Sequence, residues 1–211
     1  MRSLKDVAFL LIPIVFAPPI LLFTRMYGNL YGDFVVGAIF FGAAYFSSRE
    51  TRKLMISLSV ISGMFETANV AVGSYAYHGA TASPLWVSLG WGAFGWWLVN
   101  ANILKSLDFK TAFALASAVL VATSLITGTL SPFILIAIAG LYVISLASSQ
   151  KFGVFLGTAF LGCYVEYFGT MFGAWSYLNS AGSVVIPSFA SLALSYSAVF
   201  AFCFWISGYE K

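Results

Sequence analysis

Apolar runs recur about every 20 to 25 residues along the chain, each close to the roughly 20 residues a helix needs to cross a bilayer's hydrocarbon core. Hydrophobic residues make up 61% of the sequence and charged residues 8%. This pattern predicts an all-α, polytopic membrane protein of about eight transmembrane helices, near 7–24, 34–48, 54–74, 84–104, 110–128, 131–148, 152–175 and 184–208. The second and sixth runs are short. A seven-span alternative makes one of the short segments re-entrant.

The basic residues follow the same threading. Arg2, Lys5, Arg49, Arg52, Lys53, Lys105, Lys110, Lys151 and Lys211 fall on one side and only Arg25 on the other, a positive-inside distribution. The expected placement is a multi-pass protein of the cell membrane with both termini cytoplasmic. The net charge of +3 then reports topology and does not imply a nucleic-acid partner. The first apolar run follows Arg2 and Lys5 as in a signal peptide, but no small-x-small cleavage site precedes Arg25 and Pro18-Pro19 interrupts it. It reads as a retained, kinked first helix. Cys163 and Cys203 both fall within spans and read as small buried apolar residues.

The two halves resemble each other. Ser47-Ser48, basic residues and a run holding Glu66 match Ser148-Ser149, Lys151 and a run holding Glu166. Pro84 and Pro187 each open the following span, where a first-turn N–H has no helical partner. The expected organisation is two parallel four-helix repeats, 1–107 and 108–211, related by a pseudo-twofold axis along the membrane normal. Three longer loops, about 25–33, 75–83 and 176–183, would lie on the outer side.

Glu66 and Glu166 are the only acidic residues inside long apolar segments, and both sit in one frame. In each, a Gly follows seven residues on and a Tyr eleven residues on: Gly73 and Tyr77, Gly173 and Tyr177. On a continuous helix seven residues turn about 20° short of two turns and eleven about 20° past three. The glutamate, Asn69 or Gly169, the glycine and the tyrosine would share one face. Glycine there permits close approach of a helix or ligand. Both glutamates would lie just past the midplane, and Tyr75, Tyr77, Trp86, Trp175 and Tyr177 near the outer interface. Trp91, Gly92, Gly95 and Asn100 mark the fourth span, and Ser188, Ser191 and Ser195 one face of the last.

A carboxyl in the bilayer costs roughly 2.5–3.5 kcal/mol by insertion scales. Desolvation raises its pKa, and two that face each other titrate as a pair. One protonated and one ionised carboxyl suits acid–base chemistry or a proton relay. The structural alternative is two protonated glutamates bonded to backbone or tyrosine. The absences narrow the field. A single histidine, His78, placed in an outer loop, is incompatible with a bis-histidine haem or a histidine-rich di-iron site. No P-loop, nucleophile elbow or dinucleotide fingerprint occurs. The expectation is a site without metal or cofactor.

The frame Glu-x2-(Asn/Gly)-x3-Gly-x-(Tyr/Trp)-x-Tyr, followed by Pro84-Leu85-Trp86 and Trp91, resembles small integral-membrane proteins of carotenoid biosynthesis. These are the carotenoid hydratases and the duplicated lycopene cyclase domains. The resemblance covers about 63–97 and, more faintly, 163–200. The cyclase domains carry acidic residues just after the proline, whereas Pro84 is followed by Leu-Trp and Pro187 by Ser-Phe. The resemblance implies a metal-independent lyase or isomerase in which Glu66 or Glu166 protonates an isoprenoid C=C bond. Asn69, Gly73, Tyr75, Tyr77, Trp91, Gly169, Gly173, Trp175 and Tyr177 would line the substrate site, with aromatic faces steadying a carbocation. The expected partner is a membrane lipid or isoprenoid substrate, with a homo-oligomer or a membrane-complex partner also compatible. Two other functions fit the same residues: a non-catalytic accessory subunit of a membrane complex, and a small proton-coupled transporter.

Overall fold

The computed structural model describes residues 4–101, 152–178, 182–185 and 189–209. The expected spans at about 110–128 and 131–148, the unit boundary at 107/108, and Pro187 lie outside the described residues. Numbered in chain order, the elements are α1 (Leu4–Tyr27), α2 (Asn29–Tyr45), α3 (Arg49–Ala71), β1 (Tyr75–Tyr77), α4 (Leu85–Asn100), α5 (Phe152–Met171), β2 (Trp175–Leu178), β3 (Val184–Val185) and α6 (Phe189–Ser207).

Helix α1 contains Pro13, Pro18 and Pro19. A proline brings no N–H for the carbonyl four residues before it, so Pro13 and Pro18 release the carbonyls of Phe9 and Ile14. Both find donors from other helices. Trp97 Nε1 donates to Phe9 O at 2.9 Å, and the Tyr164 hydroxyl donates to Ile14 O at 2.7 Å. The prolines thereby tie α1 to α4 and α5 through acceptors that a regular helix would keep to itself.

Between α1 and α2 stands Gly28 alone, at φ 91°, so the loop expected over 25–33 shrinks to one left-handed residue. Asp33, expected in that loop, sits instead on α2 and caps another helix. The N-cap position of α4 is Pro84, which offers no side-chain acceptor. Asp33 Oδ1 fills the role by accepting from the Trp86 backbone N–H at 2.7 Å. The Trp86 indole donates to Asn29 Oδ1 at 3.0 Å, which fixes the ring as well as the backbone. Ser48 caps α3 in the ordinary way, accepting from Thr51 N at 3.2 Å.

Helix α3 packs on α4 and α6, α4 also on α2, α5 on α6, and α1 against α2 and α5. The α3–α4 approach is set by small residues: a side-chain carbon at Gly92 would collide with Phe40 and Ser59, and one at Gly95 with Leu58. The main core gathers Leu54, Leu58, Trp97, Leu98, Leu161 and Phe200 from four helices. Both cysteines are buried, as expected. At one end the three strands form a single antiparallel sheet in the order β1-β2-β3.

The expected architecture of about eight transmembrane helices in two parallel four-helix repeats is not the one observed. Among the described residues there are six helices. Only two, over Lys5–Tyr27 and Arg49–Ala71, are long and apolar enough to cross a membrane by length and composition. The first lies near the N-terminus, where a signal sequence meets the same criterion, and a buried core helix can meet it too. The physical reason lies where the runs stop. Helices α2 and α4 close after 17 and 16 residues. The two glutamate-bearing helices end at Ala71 and Met171, and the chain then turns into the sheet. No four-helix repeat emerges among the described residues. The multi-pass placement in a cell membrane with both termini cytoplasmic falls with that architecture. Several large apolar side chains nonetheless stay exposed on the helices, among them Val15, Phe34, Tyr45 and Trp205.

Candidate functional site

Glu66 and Glu166 each lie near the C-terminal end of a helix, and the chain that follows comes back to meet them. Beyond α3, Gly73 N bonds Val70 O at 3.0 Å and Ser74 N bonds Asn69 O at 2.9 Å. Beyond α5, Gly173 N bonds Thr170 O at 3.1 Å and Ala174 N bonds Gly169 O at 2.8 Å. Both are Schellman caps, with Gly73 at φ 73° and Gly173 at φ 67° in the left-handed region such a cap demands. The two glycines are therefore turn residues. The face shared by glutamate, glycine and tyrosine that a continuous helix would build does not form, because the helix stops before the glycine.

The strands achieve what the helix does not. β1 and β2 pair antiparallel with Tyr75 opposite Tyr177, Ala76 opposite Ser176 and Tyr77 opposite Trp175. Strand alternation places Tyr75 and Tyr77, two residues apart, on one side of β1, and both hydroxyls donate to Glu66 Oε2, at 2.5 and 2.7 Å. From β2, Trp175 Nε1 donates to Glu166 Oε2 at 2.7 Å. The other oxygen, Glu166 Oε1, accepts from the Tyr196 hydroxyl of α6 at 2.6 Å. Trp91 and Tyr177 also act on the carboxyls as hydrogen-bonding groups, Trp91 on Glu66 and Tyr177 on Glu166.

Both carboxyls are buried, Glu66 at 7% and Glu166 at 9% exposure. Burial pushes each above the ordinary carboxylate range, because the charged form loses its hydration; the aromatic donors pull the other way and offset only part of this. For Glu166 the charge of Glu66 adds a further upward push, so the two sites feel each other. Burial and the neighbouring carboxyls push Tyr75, Tyr77, Tyr177 and Tyr196 well above the usual tyrosine range. Burial pushes Cys203 up to about 12, and Cys163 is raised as well, so neither thiol is a nucleophile.

The two glutamates open into one cavity of about 230 Å³. Its walls come from all six helices and from strands β1 and β2, and include Pro13, Phe16, Trp86, Trp91, Phe94 and Trp175. Apart from the two carboxyls, hydroxyl and indole groups are the only polar side-chain functions among the described residues that line it: Tyr77, Tyr196 and the tryptophans. Trp91 stacks on Tyr196 with centroids 4.6 Å apart and planes 12° apart, so the aromatic neighbours of the two glutamates touch. Tyr75 also meets Tyr177 at 5.0 Å.

Of the residues singled out from sequence, Glu66, Glu166, Tyr77, Trp91 and Trp175 line this cavity. Tyr75 holds Glu66 and Tyr177 acts on Glu166, but neither reaches the cavity wall. Gly73 and Gly173 shape turns. Asn69 supplies a cap carbonyl. Gly169 does lie where something approaches closely, for a side-chain carbon there would overlap the Trp175 indole. His78 is exposed, and its Nε2 accepts from Arg25 Nη1 at 2.8 Å. Sequence reasoning missed Tyr196. A signal existed: a tyrosine hydroxyl in the middle of an apolar helix needs a buried acceptor, and few carboxyls were on offer. Among the described residues no cluster of three or more metal-ligating side chains occurs.

No family model matches the chain, and no curated protein or solved structure matches it either. The likeness to carotenoid-biosynthesis proteins thus gains no support. The expected function, lyase or isomerase chemistry on an isoprenoid by intramembrane glutamates, is overturned together with its membrane framework. The accessory membrane subunit and the proton-coupled transporter rested on that same framework and fall with it. What remains is two buried glutamates, each held in a network of aromatic donors, on the wall of one cavity.

Proposed function

We propose that this chain binds a small, largely apolar molecule in the cavity bounded by α1, α4 and α5, with Glu66 and Glu166 as the polar end of the site. The observation that carries the reading is the contrast on the cavity wall. Aliphatic and aromatic side chains dominate, and the two carboxyls converge within them, each already oriented by its own donors. An apolar pocket with a few convergent polar groups and shifted titration is the usual form of a small-molecule site. Orientation by the donors matters because a carboxyl locked in place loses little entropy when a ligand arrives.

The test uses the tryptophans that line the cavity as reporters. Titration with 1-adamantanol, a rigid neutral apolar probe, is expected to change the fluorescence of Trp86, Trp91 and Trp175 saturably. Gly90→Leu should abolish the effect. Gly90 lies on the wall, and a side-chain carbon there comes no closer than 3.8 Å to Val36, so the larger residue fits the helix and fills the void. A non-saturating signal, or one unchanged in a folded Gly90→Leu protein, would refute the reading.

A further inference from the structure

The cavity has an unbalanced charge design. Two carboxyls face it, and no Lys, Arg or His is among the described residues that line it. Burying a carboxylate without a partner is expensive, and the ordinary escape is to stay protonated. Yet the groups around these two carboxyls are built for the ionised form. The indole N–H of Trp175 can only donate, and Tyr75, Tyr77 and Tyr196 are placed as donors at 2.5 to 2.7 Å. Donors of this kind are strongest toward an anion. The site prepares a negative charge and provides no positive one.

The aromatic walls supply the second, independent part of the argument. Trp86, Trp91, Trp175, Tyr77 and Tyr196 all border the cavity. Their packing is mutual: Trp86 and Trp175 have centroids 6.1 Å apart, Tyr77 and Trp175 6.0 Å, and Trp91 and Tyr196 4.6 Å. Such a set presents ring faces and edges from several directions. A ring face attracts a cation by its quadrupole, most strongly for tryptophan and most strongly where water is excluded. Carboxyls without a counter-ion and aromatic rings about one void select the same ligand chemistry.

We infer that the ligand carries a positively charged amine on an apolar body, the ammonium seated between Glu66 and Glu166 and the body against the tryptophan and tyrosine rings. This deepens the binding role proposed above and rests on it. The cation supplies the missing counter-charge, and the carboxyls ionise as it enters. A neutral ligand of the same shape would gain the apolar burial only. An anion would face two carboxyls and no cation.

Three probes of one shape separate these cases: 1-aminoadamantane as cation, 1-adamantanol as neutral isostere and adamantane-1-carboxylate as anion, each titrated calorimetrically into the full chain. The amine is expected to bind at least about tenfold more tightly than the alcohol, and the carboxylate most weakly. Between about pH 5 and about pH 8 the amine should bind more tightly as pH rises, because binding needs ionised carboxyls, while the alcohol should not. The other titratable groups facing the pair are Tyr75, Tyr77, Tyr177, Tyr196 and Cys163, all pushed upward and therefore neutral over that range. Glu66→Gln and Glu166→Gln should each erase most of the amine's advantage and spare alcohol binding. An alcohol that binds as tightly as the amine, or an amine advantage that survives both substitutions, would overturn the inference and leave the apolar-ligand reading standing. Failure of all three probes would overturn both. If a glutamine variant does not fold, the wild-type comparison of amine and alcohol across pH decides alone.

Discussion

The two glutamate frames are the same device carried to different lengths. In the first, helix α3, its Schellman cap and strand β1 supply both hydroxyls that hold Glu66: Tyr75 and Tyr77 return from nine and eleven residues downstream to a single carboxyl oxygen, with Trp91 of α4 beside them. In the second, α5 and β2 supply Trp175 and Tyr177 but not the whole seat. Trp175 returns from nine residues downstream to one oxygen of Glu166, while the other oxygen depends on Tyr196, thirty residues away on α6. A local frame of about twelve residues brings two hydroxyls to one carboxyl, yet the other carboxyl takes its hydroxyl at Oε1 from a distant helix. Glu66 draws its hydroxyl donors from its own neighbourhood; Glu166 draws on the tertiary fold.

The largest effect should come from making the second frame resemble the first. Position i+3 is Asn69 in one and Gly169 in the other. The Trp175 ring lies across Gly169, so Gly169→Asn must drive the indole off Glu166. The expected loss is about 3 kcal/mol, the upper range for overpacking, read from the denaturant midpoint. The reciprocal Asn69→Gly should cost only about 1 kcal/mol, the helix penalty of glycine. Equal losses in the two variants would break the asymmetry. A smaller contrast tests the donors. Tyr196→Phe removes the hydroxyl that donates to Glu166 Oε1 and should cost about 2 kcal/mol, whereas Tyr77→Phe leaves Tyr75 on the same Glu66 oxygen and should cost about 1 kcal/mol. If Tyr77→Phe is the more damaging, the second hydroxyl of the first frame gives no backing to the carboxyl.

The same asymmetry explains what the sequence could and could not reveal. The helices were legible because apolar runs and capping residues are local. So were the glutamates, since isolated carboxyls in apolar segments stand out in any reading. The spacing from glutamate to tyrosine was read correctly and its geometry wrongly. Helical periodicity brings residues 66 and 77 to one face, and so does a helix end followed by a returning strand; only the left-handed glycine between them, a residue that serves both close packing and caps, distinguishes the two. Span number failed for a related reason: apolar content says that a segment is buried somewhere, not in what. The prolines of α1 were read as a kink, while their larger consequence, the free carbonyls of Phe9 and Ile14, needed partners on helices that no local pattern names. Tyr196 was missed on the same ground.

The finest test of the comparison is the pH dependence of stability. Both carboxyls have folded-state pKa values raised by burial above the unfolded value of about 4.3. In the window above that value the folded state holds protons that the unfolded chain has released. Stability in the absence of ligand is therefore fully present below about pH 4.3 and falls as pH rises toward the raised folded values, by at most about 1.4 kcal/mol per pH unit for each carboxyl. Glu66→Gln and Glu166→Gln should each flatten this decline, as measured by urea unfolding at a series of pH values. The flattening should be greater for Glu166→Gln by a few tenths of a kcal/mol per pH unit, because Glu166 feels the charge of Glu66 in addition to its burial. Tyr196→Phe should carry the decline to higher pH, since removing a donor disfavours the anion and raises the folded-state pKa of Glu166 further. A stability that rises with pH over this window would show that the donors outweigh burial, and would make both frames anion seats even when the cavity is empty.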